Sequence, residues 1–142
     1  MGRRRKLREK VVQLLYQAEV GKSTPEEVLE SFRHEENPDD EGLVFVKERL
    51  FGVREHLEKL DEIITQHAKN WKLNRIALID KNILRLAAFE MLYLEDIPHV
   101  VAINEAVDIA KKFSTADSGK FVNGILDKIK NDVVEKGPKK SA

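Results

Sequence analysis

The sequence predicts an all-α protein of about seven helices. Every long segment repeats its apolar residues at close to 3.6 positions, the period of a helix with one buried face. No segment of these 142 residues alternates apolar and polar side chains as a half-buried strand does. One stretch, DKNILRLAAFEMLYL, is apolar on most sides, which marks a central helix packed all round.

The elements follow in order. The chain opens on MGRRRKLR, a basic arm over residues 1–8. The first helix is expected from about Arg5 to Val20, with Leu7, Val11, Leu14, Leu15 and Ala18 as its core stripe. Tyr16 lies beside that stripe and can carry its hydroxyl to the surface. Gly21 ends the helix. Gly21-Lys22-Ser23 imitates the end of a phosphate-binding loop, but Tyr16 stands where its first glycine belongs.

Thr24-Pro25-Glu26-Glu27 starts the second helix, with Thr24 as cap and Glu27 closing a capping box. Val28, Leu29 and Phe32 are its buried residues. Asn37-Pro38-Asp39-Asp40 breaks the chain. From Glu41 to about Trp71 the helical period continues, too long for one helix of a small domain. A break is expected between Gly52 and His56. Residues 72–78 form a connector, and Asp80 opens the central helix, which runs to about Leu94. Glu90 lies within that helix. It is either on a narrow exposed stripe or buried against a cation or helix-end amides, because an unpaired buried carboxylate costs too much.

Val101 to Ile129 reads as a helix hairpin. Ala102, Ala106, Ile109, Ala110 and Phe113 share one face. Val122, Ile125, Leu126 and Ile129 share the next, and Ser114 to Gly119 form the turn. Around that corner stand Lys111, Lys112, Phe113, Asp117, Ser118, Lys120, Phe121 and Asn123. Cations interleaved with rings and hydrogen-bonding groups suit a single-stranded nucleic acid. The same pattern suits a solvated corner with two core phenylalanines. The domain is taken as residues 1–135, and 136–142 as a disordered tail.

Charge is segregated, although the formal net charge is zero. Residues 1–10 carry six cations and one anion, +5, and residues 23–48 carry two cations and nine carboxylates, −7. Residues 111–142 carry eight lysines and four carboxylates, +4. Basic ends of this kind bind phosphate backbones. An arginine-rich arm without a bulky apolar anchor fits nucleic acid better than a membrane surface. The lack of cysteine excludes disulfides and thiolate sites and fits a reducing compartment. The longest uncharged runs, such as Val11 to Ala18, are too short to span a bilayer.

Enzymatic signatures are missing. The four histidines lack metal-ligand spacing, and there is no nucleophile elbow or dinucleotide loop. Glu105 and Asp108 are one turn apart and form a polar helix face more simply than a catalytic pair. No cofactor, metal or catalytic residue is expected.

Several stretches together resemble one family. They are Leu14-Leu15-Tyr16 after the basic start, Asn82-Ile83-Leu84-Arg85-Leu86-Ala87 with Glu90, and Asp96-Ile97-Pro98. Ala102-Ile103-Asn104-Glu105-Ala106 follows, and Asp117-Ser118-Gly119-Lys120-Phe121-Val122-Asn123-Gly124-Ile125-Leu126-Asp127 is the most specific. In order and spacing the chain resembles the bacterial NusB transcription antitermination factors, loosely over residues 22–48. The resemblance implies two small helix bundles, no enzymatic activity and a cytoplasmic location. It implies binding of boxA, a single-stranded RNA element of ribosomal RNA leaders, together with NusE, a small-subunit ribosomal protein, within the RNA polymerase antitermination complex. Carried over, the RNA surface is Arg3, Arg4, Arg5, Lys6, Arg8, Tyr16, Lys112, Phe113, Asp117, Ser118, Lys120 and Phe121. His67 stands where the family has a stacking aromatic, and Asp80 falls on the NusE side. Two other readings remain: a NusB-like domain detached from a ribosomal RNA cytosine methyltransferase, and a purely protein-binding helical module.

Overall fold

A computed structural model describes residues 2–68 and 73–134. Seven α-helices run α1 (Gly2–Gly21), α2 (Pro25–Glu36), α3 (Asp40–Glu55), α4 (Leu57–His67), α5 (Leu78–Tyr93), α6 (His99–Phe113) and α7 (Ala116–Ile129). A 3₁₀ turn (Leu73–Arg75) precedes α5, and a π-helical turn (Lys130–Val134) follows α7. There is no strand among the described residues. The expected helix end at Trp71 and the expected tail over 136–142 lie outside the described residues.

Helices α1, α2 and α3 pack on one another, and α4, α6 and α7 gather round α5. Helix α5 also packs on α1 and α3, so it joins both bundles. Its residues from Asn82 through Met91 are all buried, as an all-round apolar pattern requires. One continuous core results, running from Val11 and Leu15 through Leu50, Leu84 and Met91 to Ile109 and Leu126.

Local chemistry accounts for the boundaries. Thr24 accepts from the Glu27 amide and Glu27 reaches back to the Thr24 amide, the expected capping box. Asn37 ends α2 in the left-handed region at φ 45°, which Asn tolerates well. Asp39 caps α3 by accepting from the Gly42 amide at 2.8 Å. The expected break falls at His56, between α3 and α4.

Three boundaries differ from the sequence reading. Helix α1 begins at Gly2, not near Arg5, so the basic arm is helical. Helix α5 begins at Leu78, so Asp80 is its third residue and not its opening one. The turn between α6 and α7 is only Ser114-Thr115, because Thr115 caps α7 by accepting from the Ser118 amide at 3.0 Å. Asp117, Ser118 and Gly119 are therefore helical.

Candidate nucleic-acid interface

The helical spacing of α1 sends its cations in three directions. Arg3, Lys6 and Lys10 lie at i, i+3 and i+7 on one face and line a hollow with Phe32, Glu36, Pro38 and Asp39. Arg4 and Arg8, four apart, both stand over the Phe45 ring of α3, 5.7 and 5.4 Å from its centre. Arg5 and Glu9, also four apart, face α6. Arg5 donates to Glu105 through Nε and Nη2, each at 2.7 Å, and to Asp108 Oδ2 at 2.9 Å. Lys112 Nζ donates to Glu9 at 3.0 Å. These pairs advance together along both helices, so α1 and α6 run parallel. The fork from Arg5 holds the Glu105 carboxyl below its usual range and raises Arg5 in turn.

The parallel α1–α6 edge leads to an aromatic hollow. Tyr16, 42% exposed, and Phe113 line it with Gln13 of α1 and Ala77, Leu78 and Ile79 at the start of α5. The hollow measures about 480 Å³, room for a base-sized ring. Just beyond, Ser118 Oγ donates to Asp80 Oδ2 at 3.0 Å and lies 2.8 Å from Ser114 Oγ. Lys120 and Asp117 are exposed on α7, and Phe121 is half-buried against the core. Gly119 lets the hairpin close: a Cβ there would fall 2.9 Å from Lys111 Cγ.

The structure thus gathers Tyr16, Lys112, Phe113, Asp117, Ser118, Lys120 and Phe121 around one corner, with Arg5 along the edge leading to it. Arg3, Arg4 and Lys6 display their groups on other sides of the same helix.

Three residues are placed differently from the expectation. Arg8 is 3% exposed and donates through Nε to both oxygens of Glu90, at 3.1 and 3.0 Å. The position that read as part of a basic arm is a core position, because Glu90, only 1% exposed, needs cations beside it. Arg49 of α3 supplies the second, donating from Nε at 2.5 Å. His67, 8% exposed, is also inside: Nδ1 is 2.8 Å from Ile63 O and Nε2 is 3.0 Å from Asp132 Oδ2. Asp132 lies fourteen positions past Ser118, roughly 20 Å along the helix axis, so His67 does not join the corner. Asp80 does not cap α5; no side chain caps that helix. Its carboxyl is 6% exposed, and burial raises it above the usual carboxylate range, with the Ser118 hydroxyl opposing. Its Oδ1 has no hydrogen-bond partner among the described residues.

Sequence reasoning missed Arg49 and Phe45. Glu90 signalled that a cation was needed, but nothing in the linear pattern said which. Arg49, between Glu48 and Leu50 on α3, reads as a surface residue until α5 is packed against it. Of the carboxylates facing α1, Glu36, Asp39 and Glu41 were legible only as part of the acidic run over residues 23–48.

No group of three or more potential metal ligands occurs among the described residues. No described helix is long and apolar enough to cross a membrane. The model of the NusB family matches residues 5–131. A transcription antitermination protein NusB of Bacillus pumilus is 47% identical over 131 residues, spanning 92% of this chain and 97% of its own. The solved structure of NusB from T. maritima superposes with a TM-score of 0.86 at 39% identity, covering 94% of both chains. A solved complex of the antitermination factors NusB and NusE with dsRNA contains a chain with TM-score 0.82 and 28% identity, covering 92% of this chain and 98% of that one. The match to the family along residues 5–131, the 47% identity to a relative over nearly the whole length and the superposition on a solved NusB show that the chain belongs to the NusB family of transcription antitermination proteins.

Proposed function

We propose that the α1–α6–α7 corner binds boxA RNA in nascent ribosomal RNA leaders, jointly with NusE, and so promotes read-through by RNA polymerase. The observation that carries this reading is the convergence of the Tyr16 and Phe113 rings on one open hollow where α6 ends. Rings there stack bases, Lys120 neutralises phosphate at the corner, and the exposed Arg3, Arg4 and Lys6 do so farther along α1. Phe121 stacks on a base or braces the ring that does. The related complex holds NusB and NusE on dsRNA, which supports both partners. The preference for a single strand rests on the corner itself, since stacking needs unpaired bases.

Asp80 serves NusE in this reading. Buried itself, it holds the first turn of α5 in place for NusE, and its Oδ2 accepts from Ser118 on the RNA side. RNA and NusE would then meet across the α5–α7 contact.

The test is an electrophoretic shift with boxA RNA against a scrambled strand and a duplex of the same length, with and without NusE. Preferential binding of the boxA strand, tightened by NusE, is the expected result. Equal affinity for all three RNAs would leave only a nonspecific polyanion binder.

A further inference from the structure

The second hollow on α1 lies on the side facing α2 and α3, away from the aromatic corner. It measures about 440 Å³, and Arg3, Lys6 and Lys10 point their cations at it over a floor of Leu7, Phe32 and Pro38. Two of the three cations are already occupied. Arg3 bonds Asp39 and, at 3.0 Å, Glu41 Oε1; Lys10 bonds Glu36. Lys6 has no carboxylate within ion-pair distance among the described residues. The Arg3–Asp39 contact is built into the end of α3, because Gly42 leaves room there. A Cβ on Gly42 would come within 3.0 Å of Asp39 Oδ1 and 3.2 Å of Arg3 Nη2. Asp39 also accepts from the Gly42 amide, and this bond, with Arg3 second, holds its carboxyl below the usual range.

We propose that this hollow is a phosphate seat latched by the protein's own carboxylates. Glu36, Asp39 and Glu41 stand in for phosphodiester oxygens on Arg3 and Lys10, and an RNA strand leaving the aromatic corner displaces them. The inference rests on the RNA-binding reading and extends the path of the strand to the far side of α1. The chemistry is an exchange of one oxyanion for another on the same donors. Exposed pairs of this kind are individually weak, so they yield to phosphate without closing the seat permanently. While closed, the latch lowers affinity for any polyanion and flattens the salt dependence, since each carboxylate set free takes up a cation that phosphate released.

The latch is removed by Glu36→Gln, Asp39→Asn and Glu41→Gln together; asparagine keeps the oxygen that caps α3. A control with the same change in charge carries Glu55→Gln, Glu58→Gln and Glu62→Gln, exposed on α3 and α4. Affinity for boxA RNA is measured over a salt series. The latch variant is expected to bind about three- to thirty-fold tighter at low salt, with a steeper slope, while the control changes little. Adding Arg3→Ala and Lys10→Ala to the latch variant should abolish the gain. Equal gains in latch and control variants, or a gain that survives removal of the Arg3 and Lys10 side chains, would mean a general field effect and would overturn the latch. Failure of the unaltered protein to bind RNA at all would instead overturn the RNA reading, and the latch with it.

Discussion

Asp117 is the anion among the cations of the α6–α7 corner, and its surroundings fix what its removal should do. Thr115 caps α7, so Asp117 contributes to that helix only through attraction to the dipole, a few tenths of a kcal/mol. Asp117→Asn should leave the melting temperature nearly unchanged and tighten RNA binding. The repulsion it removes is about 1 kcal/mol for unit charges some 4 Å apart in water. Titration with boxA RNA checks this; weaker binding at intact stability would make Asp117 a reader of a base amine instead. Glu90 behaves oppositely. Its carboxylate is shared by Arg8 and Arg49, all three nearly inaccessible. Glu90→Gln removes the buried charge between two guanidiniums, leaving Arg8 only the carboxylate of Glu105 at 3.6 Å and Arg49 only that of Glu48 at 3.2 Å, and should cost about 3–5 kcal/mol in denaturant melts. A cost under about 1 kcal/mol would show that water reaches the network. The sequence left Glu90 either exposed or buried against a cation or helix-end amides, and the fold buries it between two cations.

At the scale of elements, sequence patterns carried far. The capping box at Thr24, the break near His56 and the all-round burial of α5 were legible because each depends on neighbours along the chain. The start of α1 was not, because arginines near a terminus read as an arm. In the fold, carboxylates of α3, its cap Asp39 and α6 accept Arg3 and Arg5, and the helix extends to Gly2. The shortened α6–α7 turn was missed because Ser and Gly read as turn residues until Thr115 is known to be the cap. Packing also produced a glycine that no local rule predicts. Gly52 of α3 lies against Phe89 of α5, where a Cβ would sit 2.1 Å from the ring. Gly52→Ala should therefore destabilise by about 1–3 kcal/mol from overpacking, despite the better helix propensity of alanine. Thermal melts would show it, and a gain in melting temperature would mean that α3 and α5 separate easily.

Over the whole molecule, one helix ties two bundles together and a second distributes charge. Helix α5 bonds to both sides: Arg85 forks onto Asp61 of α4 at 2.7 and 2.8 Å and reaches Glu19 of α1 at 2.8 Å. Helix α1 turns Arg3, Lys6 and Lys10 to the hollow beside α2 and α3 and Arg5 to α6, while keeping Arg8 for the core. The segregation of charge was visible in the sequence, but its meaning was not, since acidic residues 35–41 and basic residues 3–10 become neighbours only on folding. If α1 holds the RNA backbone, the salt dependence of boxA affinity must report it, and no measurement tests that role more directly. The comparison is between the unaltered protein and Arg3→Ala/Arg4→Ala/Lys6→Ala, which spares Arg5 because its fork onto Glu105 and Asp108 joins α1 to α6. The expected result is a log–log slope reduced by about 0.7 for each phosphate that the variant no longer neutralises, and weaker binding of every RNA alike. An unchanged slope, with the fold intact, would contradict a backbone-holding α1.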